Sequence, residues 1–372
     1  MTNVRLAYFT HDSISEGVGR SQILSLCTKL SNAGVRVSLF TFEKIPPTSE
    51  VRELIANSSI DWKWFPFENG GSFPAFMRIQ ILRSVQGEFD IIHARGDLPA
   101  FAAVLRHKEP VLWDIRSLWA DQRGILNPRR FHLLTREIIK VLTKFTSKHV
   151  SAYNILTNAA DPIIRSRFPN LPRNHSIVST CVDTDLFAFH ANLPSSPLGL
   201  LSGTYNAIYD SELLKLFNRY MVENFGHKIL WVRGKEGAPV AQDLGQQEMC
   251  SALYGDMPDF IRNSSYGLSV CKNNLGDSLA AAMPTKIAEF LSVGRPVVVN
   301  SRLGDVDNLL VKNGVAVKLD HEKDIPKAAN EIIELLRDPQ VSMRCRNVAE
   351  RYFSLDFAER TYRSMYQSMI SN

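Results

Sequence analysis

Three polar side chains with complementary chemistry lie among the five residues after Pro284: Thr285, Lys286 and Glu289. A proline is favoured in the first turn of a helix because its missing N–H has no intrahelical partner there. Gly294 then stands where a helix C-terminal glycine belongs, so the run predicts a short helix between these two residues. Its N-terminus would carry free N–H groups and a partial positive charge, an arrangement that binds anions such as a diphosphate. The alternative is a surface helix on which Lys286 and Glu289 form an i, i+3 ion pair, and the spacing permits both.

The predicted helix and the strand after it form half of a βαβ unit. Ile287, Phe290 and Leu291 repeat at i, i+3, i+4 and predict its buried stripe. The apolar run 296–299 predicts a strand covered on both faces, as in a parallel sheet. The polar side chains would therefore lie at the helix end that faces a ligand.

Polar residues also follow two predicted strands in the first half of the chain. His93 and Arg95 lie at the end of one, and Asp114 and Arg116 lie at the end of the next. Ligands of open α/β sheets bind outside the carboxyl ends of the strands, so we predict His93, Asp114 and Arg116 as catalytic residues. Alternatively, Asp114 and Arg116 only pair with each other.

A glycine-rich turn precedes the first predicted helix and contains Gly17, Gly19 and Arg20. It would suit a dinucleotide fold with Glu43 as the ribose-binding acid. Two features argue against this: Gln22 replaces the third glycine, and a loop of several residues separates the first glycine from the end of the strand. The small residues predict either a close approach of a ligand to the backbone or an ordinary tight turn.

Composition limits the class of protein. The chain has 372 residues, 45% of them hydrophobic, and a net charge of +5, which predicts two globular domains and suits anionic ligands or an anionic membrane surface better than nucleic acid. Its five cysteines are dispersed without metal-ligand spacing and predict free thiols in a reducing, cytoplasmic setting. The first residues enter a strand without a leader, and no apolar run approaches membrane-spanning length.

The region 128–149 predicts a long amphipathic helix with an apolar stripe and an excess of lysine and arginine. Such a helix either covers a domain face or lies on anionic lipid at the inner face of the membrane. Strand and helix patterns alternate on both sides of a segment rich in proline and serine. We therefore predict a domain over 1–187, a linker over 188–198, a second domain over 199–350 and a terminal helix within 351–372.

Five segments, taken in order, resemble one enzyme family. They are 16–24 (EGVGRSQIL), 114–122 (DIRSLWADQ), 179–187 (STCVDTDLF), 203–205 (GTY) and 284–297 (PTKIAEFLSVGRPV). The chain resembles GT-B glycosyltransferases of the family 4 type, in particular bacterial enzymes of polysaccharide synthesis. The resemblance implies two Rossmann-like parallel-sheet domains facing across a cleft. It also implies an acceptor in the first domain, a nucleotide sugar in the second, and a C-terminal helix that crosses back to the first.

The resemblance also assigns site residues and shows departures. Glu289 matches the glutamate that grips the nucleotide ribose, whereas the family's earlier glutamate falls on Ala281, and the usual arginine and lysine pair is missing after Gly203. The predicted donor-binding residues are Gly17, Gly19, Arg20, Gly203, Thr204, Lys272, Thr285, Lys286 and Glu289. Asp183 and Asp185 resemble a metal-binding acid pair of another glycosyltransferase architecture, but their place in a predicted turn argues against a metal.

The expected activity is sugar transfer from a nucleotide-diphosphate donor to a glycan or lipid-linked glycan. The resemblance implies retention of configuration, and we expect neither a metal nor another cofactor. The alternative is a non-catalytic GT-B partner or scaffold subunit, which the departure at Ala281 motivates.

Overall fold

The computed structural model describes residues 4–15, 17–68, 72–118, 121, 130–202, 208–234 and 248–371. The chain divides into two compact units. The first unit contains Met1–Ser179 together with Leu355–Asn372, and the second unit contains Thr180–Ser354. The expected β/α alternation is present in both.

The first unit is built on a seven-stranded parallel sheet. Its strands are β1 (Arg5–Thr10), β2 (Arg36–Glu43), β3 (Asp61–Pro66), β4 (Ile91–Arg95), β5 (Val111–Asp114), β6 (Ala152–Ile155) and β7 (His175–Ile177). They lie in the order β3-β2-β1-β4-β5-β6-β7. A turn at Gly17–Gly19 and a π-helical segment at Arg20–Leu24 lead into the first long helix. The helices are α1 (Ser25–Asn32), α2 (Ser49–Ala56), α3 (Ser72–Ser84), α4 (Asp97–Arg106), α5 (Arg130–Thr146) and α6 (Asp161–Arg167).

The second unit is built on a six-stranded parallel sheet. Its strands are β8 (Leu198–Ser202), β9 (Lys228–Gly234), β10 (Glu248–Ala252), β11 (Tyr266–Ser269), β12 (Val297–Val299) and β13 (Ala316–Lys318). They lie in the order β10-β9-β8-β11-β12-β13. The helices are α7 (Ser211–Phe225), α8 (Met257–Arg262), α9 (Asp277–Ala280), α10 (Thr285–Val293), α11 (Ile325–Arg337) and α12 (Val341–Tyr352). None of the helices in the described ranges is long and apolar enough to cross a membrane.

The two sheets share a strand order although the sequence shows no repeat. In each unit the first strand lies between the second and the fourth, which is the order of a doubly wound sheet. The direction of winding therefore reverses between β1 and β4 and again between β8 and β11. Ligands of such sheets bind at this reversal point, outside the carboxyl ends of the strands.

The strands near each sheet centre are buried on both faces, as their apolar runs predict. In β1, Leu6, Ala7, Tyr8 and Phe9 are fully buried. The predicted stripe of α10 is confirmed, because Ile287, Phe290 and Leu291 are also fully buried. The two strands that the sequence did not predict, β3 and β10, lie at the outer edges of their sheets. An edge strand has a neighbour on one side only and needs no continuous apolar run, and the described side chains of β3 are half-buried or exposed.

The structure divides the chain earlier than the predicted boundary at residue 187. Residues 180–192 belong to the second unit because two arginines hold their backbone there. The fully buried Arg295 donates to the carbonyl oxygens of His190 and Asn192 at 3.0 and 2.9 Å. Arg346 donates to the carbonyl oxygens of Thr184 and Phe187 at 3.1 and 3.3 Å. This part of the predicted linker is therefore fixed to the second unit.

The C-terminal helix α13 (Leu355–Ile370) belongs to the first unit, so the predicted return of the chain to its first half is confirmed. Its Tyr362, Met365 and Tyr366 are buried. The chain leaves the second unit after Ser354, four residues later than the predicted boundary at 350, because α12 continues to Tyr352.

The glycine-rich turn at the end of β1 is held by the chain itself. Gly17 has a φ of +45°, and a Cβ at Gly19 would lie 1.7 Å from the carbonyl oxygen of Ser13. Glu43 is buried at the end of β2 and accepts hydrogen bonds from the Ser13 hydroxyl at 2.5 Å and the Ile14 N–H at 3.0 Å. These contacts differ from the ribose contact of a dinucleotide fold, because the oxygens of Glu43 bind the turn of the chain itself. A glycine is required at position 19 because its backbone lies directly against the backbone of Ser13.

The contact at Gly19 predicts a large effect of a single methyl group. Gly19→Ala should destabilise the first unit by about 2 kcal/mol or more, because overpacking against backbone forces the chain to move. The urea midpoint of unfolding measures this. Gly255→Ala is the matched control, since a Cβ there meets nothing within 4 Å. Equal midpoints for the two variants would contradict the close approach.

Candidate functional site

The N-terminus of α10 is an open helix end in the second unit. Pro284 occupies the N-cap with extended backbone, and no side chain caps the first turn. A helix of this length places its first N–H groups and a partial positive charge at that end. Thr285 is half-buried and adds a hydroxyl in the first turn. The end has the chemistry of an anion site.

Lys286 and Glu289 are buried, not solvated, so the alternative of a surface ion pair is wrong. Only 7% of Lys286 and 9% of Glu289 is exposed, and every residue of α10 from Lys286 to Val293 is buried. Among the described residues the two side chains form no ion pair within 4.0 Å. The Lys286 ammonium instead lies 4.0 Å from the ring centroid of Tyr209, a cation–π distance.

The environment of Glu289 shifts its protonation. Burial raises the pKa of the Glu289 carboxyl to about 7, and the nearby Lys286 charge opposes the rise. A buried carboxyl without an ion pair is costly to ionise, because low-dielectric surroundings disfavour its charged form. The group is therefore suited to form hydrogen bonds with a polar ligand.

Other polar groups collect where β11 and β12 end. Asn300 follows β12 directly, is fully buried, and accepts a hydrogen bond from the Cys271 N–H at 3.0 Å. Its Nδ2 has no partner in the described part of the chain, and neither do the hydroxyls of Ser269 and Ser278. Buried donors without partners are rare in native proteins and mark places where a ligand or water binds.

The backbone of Lys272 lies beside the ends of β11 and β12. Its N–H donates to the carbonyl oxygen of Ile208 at 2.8 Å, which joins the segment after β11 to the segment that carries Tyr209. The predicted residues Gly203 and Thr204 lie outside the described residues. The structure thus brings Thr285, Lys286 and Glu289 together on α10, and Lys272 is connected to them through Tyr209. Ala281 is buried at 5% exposure.

A second polar cluster lies at the reversal point of the first sheet, around the carboxylate of Asp114. Oδ1 accepts a hydrogen bond from Asn154 Nδ2 at 2.8 Å and a longer contact from Arg116 Nη1 at 3.4 Å. Oδ2 lies 3.5 Å from His93 Nε2 and 3.5 Å from Arg95 Nη1. The structure thus brings together the three predicted catalytic residues, His93, Asp114 and Arg116.

The cluster fixes the charges of its members. Burial alone would raise the pKa of Asp114, but the positive charge of Arg116, together with His93 and Arg95, outweighs it and holds the pKa well below its usual range. Burial lowers the pKa of His93, and the neighbouring Asp114 carboxylate opposes this shift. Asp114 is therefore an anion and His93 is neutral near pH 7.

Tyrosines from two elements enclose His93. The hydroxyl of Tyr366, on α13, lies 2.7 Å from His93 Nδ1. The Tyr8 ring centroid lies 4.4 Å from the imidazole, and that of Tyr362 lies 4.9 Å away. His93 is thereby fixed between the sheet and the C-terminal helix.

The side chains of the Asp114 cluster differ in solvent exposure. The side chains of His93 and Asp114 are 0% and 1% exposed, whereas that of Arg116 is 14% exposed. Arg116 also donates to the carbonyl oxygen of Val178 at 3.3 Å. Arg116 is thus the most exposed of the three, although its Nε is buried and its Nη1 contacts Asp114 and the carbonyl oxygen of Val178.

The remaining predicted residues of the first unit lie at the glycine-rich turn. Arg20 is bound to Glu50 of α2, with Nη2 2.9 Å from Oε1. Gly17 and Gly19 shape the backbone as described above.

The acid pair at Asp183 and Asp185 forms a turn. Asp183 Oδ1 accepts hydrogen bonds from the N–H groups of Asp185 and Leu186 at 3.0 and 3.1 Å. Within the described ranges, no group of three or more histidine, cysteine, aspartate or glutamate side chains could hold a metal ion.

Sequence reasoning missed Tyr209, Asn300, Asn154 and Tyr366. Asn300 directly follows the predicted 296–299 run, so the strand-end argument that found Asp114 would have found it as well. Tyr209 and Tyr366 reach their partners through tertiary packing, and no local pattern marks them.

The buried carboxyl of Glu289 predicts a specific pH dependence of stability. Its pKa is 4.5 in the unfolded chain and about 7 in the folded one, so between these values only the unfolded state loses the proton. Stability should fall as the pH rises through this window, by an amount on the order of 3 kcal/mol. Glu289→Gln removes the titration.

The measurement is the urea midpoint of both proteins at pH 4.5 and pH 8. The variant should gain stability relative to the unchanged protein as the pH rises. Glu212→Gln, at a side chain that is 77% exposed, is the control and should show no such trend. A constant difference between Glu289→Gln and the unchanged protein would show that Glu289 is not buried as described.

The fold is that of known glycosyltransferase structures. The chain is similar to a sucrose-phosphate synthase from Thermosynechococcus elongatus, with a TM-score of 0.71, 13% identity and 99% of each chain covered. It is similar to a glycosyltransferase from Rickettsia africae, with a TM-score of 0.67, 13% identity and all of both chains covered. It is also similar to HepE from Anabaena in complex with UDP and glucose, with a TM-score of 0.66, 12% identity, and 98% of this chain and 100% of that one covered.

No family model and no curated protein matches the sequence. At these identities the structural likeness concerns the fold, and it extends over nearly the whole chain. The predicted arrangement of two Rossmann-like parallel-sheet units with a returning C-terminal helix is confirmed. The chain has the GT-B fold of nucleotide-sugar glycosyltransferases.

Proposed function

We propose that this protein is a glycosyltransferase that moves a sugar from a nucleoside-diphosphate donor to a glycan or lipid-linked glycan acceptor. The observation that carries the proposal is the uncapped N-terminus of α10 with Lys286 and Glu289 buried beside it. An anion site and a buried carboxyl on one helix suit the two ends of a nucleoside diphosphate. Similar solved structures hold UDP or UDP-glucose, which supports this donor class.

Each group of the second unit has a part in donor binding. Glu289 lies one turn inside α10 and accepts hydrogen bonds from the ribose hydroxyls. The N–H groups of the first turn, the Thr285 hydroxyl and the Lys286 ammonium bind the diphosphate, and the helix dipole acts in the same direction. The aromatic face of Tyr209 keeps the ammonium in place when no anion is bound.

Catalysis in this proposal is mainly electrostatic. The glycosidic C–O bond breaks with its electron pair going to the diphosphate, and the sugar develops oxocarbenium character. Preorganised donors at the leaving group stabilise this charge separation most. The acceptor hydroxyl forms the new C–O bond, and its proton passes to the departing phosphate oxygen, so no protein nucleophile is required. We propose retention of configuration and no metal.

The first unit would take the acceptor. Arg116 follows β5, is 14% exposed and contacts the Asp114 carboxylate, which itself lies 3.5 Å from His93. Because Arg116 is fixed by a carboxylate on one side, it can contact an acceptor without a large loss of conformational entropy. The assignment of this cluster to the acceptor rests on the proposed function.

A lipid-linked acceptor agrees with the surface of α5. Leu134, Ile138, Val141 and Phe145 form a continuous stripe on this helix and are between 39% and 68% exposed. Helix α4 packs against α5, α3 packs against α4, and both carry exposed apolar side chains. These are Phe73, Phe76 and Met77 of α3 and Leu105 of α4. We propose that this apolar surface, flanked by basic residues, contacts anionic lipid.

Lys286→Ala should lower turnover about a hundredfold, because one preorganised donor at a developing anion is commonly worth that much. Activity is measured as release of the nucleoside diphosphate from a panel of nucleotide sugars. Lys312→Ala is the control, since Lys312 lies on the surface and contacts Asn308. The unchanged protein should keep full activity in EDTA.

Two outcomes contradict parts of the proposal. If EDTA abolishes activity and added magnesium or manganese restores it, the metal-free mechanism is wrong. If neither millimolar UDP nor millimolar GDP raises the melting temperature, the non-catalytic partner or scaffold is the better reading of this fold.

Val141→Glu should weaken binding to anionic vesicles about tenfold, because it places a charge at a side chain that is 68% exposed in the centre of the stripe. Co-sedimentation with vesicles at low salt measures this. Met343→Glu, at a 46% exposed side chain of the second unit, is the control. Equal binding by the two variants would mean that the stripe does not contact lipid.

A further inference from the structure

One hydrogen bond joins the last helix of the chain to the first sheet. The Tyr366 hydroxyl, on α13, lies 2.7 Å from Nδ1 of His93, on β4, and both residues are fully buried. The two positions are 273 residues apart in the chain. A buried hydroxyl and a buried ring nitrogen both lose their contacts with water on folding, and each supplies the other's partner here. Helix α13 therefore gives β4 a polar contact in addition to its apolar packing.

The direction of this hydrogen bond follows from the carboxylate on the other side of the imidazole. Asp114 Oδ2 lies 3.5 Å from His93 Nε2, and neither atom has a hydrogen-bond partner in the described part of the chain. An ionised carboxylate only accepts hydrogen bonds, and a neutral imidazole has one N–H and one lone pair. If Nδ1 carried the proton, the Nε2 lone pair would face the carboxylate and repel it. The proton is therefore on Nε2, and Nδ1 accepts from the Tyr366 hydroxyl.

The surrounding charges maintain this arrangement. Burial raises the pKa of the Tyr366 hydroxyl well above its ordinary value, so the hydroxyl keeps the proton that it donates. Burial lowers the pKa of His93, and the positive charges of Arg95 and Arg116 act in the same direction. The Asp114 carboxylate opposes this shift. A hydrogen bond donated to Nδ1 adds to the side that keeps the ring neutral, because it stabilises the unprotonated nitrogen.

Three further groups face the pair from neighbouring elements. The ring centroids of Tyr8, on β1, and Tyr362, on α13, lie 4.4 and 4.9 Å from that of His93. Cys27, on α1, lies near enough to Tyr366 to affect its ionisation, and burial raises the pKa of this thiol well above its ordinary value. Burial raises the pKa of Tyr8 in the same way. Among the described groups, the carboxylate at the end of β5 is therefore the anion that acts on the imidazole.

The imidazole is one of the groups that hold the Asp114 carboxylate. Oδ1 faces Asn154 at 2.8 Å and Arg116 at 3.4 Å. Oδ2 faces His93 and Arg95, each at 3.5 Å. A protonated imidazole would draw the carboxylate to itself, and a turned ring would remove its N–H from Oδ2. Either change would alter the contact between Asp114 and Arg116.

We propose that Tyr366 is a positioning residue of the first unit, whose hydroxyl keeps the His93 ring neutral and fixed so that the Asp114 carboxylate remains directed at Arg116. Tyr366 itself touches neither donor nor acceptor in this arrangement. It acts through two intermediate side chains on the guanidinium. The consequence for the acceptor, which Arg116 would contact, rests on the proposed function.

Nitrogen NMR of the histidine rings tests the state of His93 in the full chain without any ligand. In the unchanged protein, Nε2 should be protonated and Nδ1 unprotonated near neutral pH. Tyr366→Phe keeps the aromatic ring and removes the donor to Nδ1, so the neutral imidazole loses a stabilising contact. His93 should therefore take up a proton at a higher pH in the variant than in the unchanged protein. His93→Gln identifies the signals.

Proton exchange at the Arg116 Nε–H shows whether the effect reaches the guanidinium. This nitrogen is buried and has no hydrogen-bond partner among the described groups, so its exchange with water depends on how firmly the side chain is held. Tyr366→Phe should accelerate this exchange about tenfold, the effect expected when one buried hydrogen bond that fixes the cluster is removed. Arg116→Lys identifies the signal, because lysine has no Nε–H.

Two control variants separate the hydroxyl from general packing. Met369 is buried on the same helix at 5% exposure, so Met369→Ala should lower the urea midpoint of unfolding at least as much as Tyr366→Phe does. It should leave the His93 titration and the Arg116 exchange unchanged. Tyr220→Phe removes the hydroxyl of a half-buried tyrosine on α7 in the second unit and should also leave both unchanged.

The proposal is overturned if Tyr366→Phe leaves either the His93 titration or the Arg116 exchange as it is in the unchanged protein. It is also overturned if Met369→Ala changes both as strongly, because the hydroxyl would then be one packing contact among many. Neither measurement needs a nucleotide or an acceptor. Their failure would therefore leave the donor assignment intact, and a failure of nucleotide stabilisation would leave the role of Tyr366 in the cluster intact.

Discussion

Lys286 and Glu289 are buried on α10 without an ion pair between them, which costs free energy of desolvation. The helix is surrounded by apolar contacts from its second residue to its last, and an ammonium and a carboxyl within such surroundings are penalised by desolvation. The Tyr209 ring offsets part of the penalty for the lysine. Sites of ligand binding commonly retain such costs, because the ligand supplies the missing partners.

The first unit also buries a charged group, but there neighbouring side chains offset the charge. There the buried Asp114 carboxylate is surrounded by Asn154, His93, Arg95 and Arg116, so its charge is compensated within the protein. Tyr366 of the C-terminal helix closes this cluster by contacting His93. The first unit therefore depends on the last residues of the chain for the environment of its central polar group. The contrast between the compensated cluster and the uncompensated helix end suits a proposal in which the second unit binds the more highly charged substrate.

The shared strand order explains why both groups of polar residues lie at corresponding places. In a doubly wound sheet the strand interiors are buried on both faces, so polar side chains concentrate towards the strand ends, and His93 and Asn154 within β4 and β6 have polar neighbours. The reversal point adds an opening between neighbouring connections. Two units with one strand order thus provide two such edges, although their sequences show no repeat.

Much of this architecture could be predicted from the sequence. Unbroken apolar runs such as 296–299 require strands buried on both faces, and Pro284 and Gly294 set the bounds of α10 by backbone constraints that operate within a few residues. The strand-end rule located Asp114 and His93 for the same reason, because it depends only on where an apolar run stops. The sequence did not predict the edge strand β3, because this strand lacks such a run.

Tertiary structure decided what those residues do. No spacing could show that Lys286 contacts Tyr209, seventy-seven positions earlier, or that Tyr366 contacts His93, because these contacts depend on how distant elements pack. Local pattern allowed Lys286 and Glu289 either to face a ligand at the helix end or to form an ion pair on a solvated surface, and only the packing around α10 shows that both are buried. The sequence by itself determined the elements and the polar edges, because those follow from local sterics and burial. The charge state, accessibility and partners of each polar group came from long-range contacts.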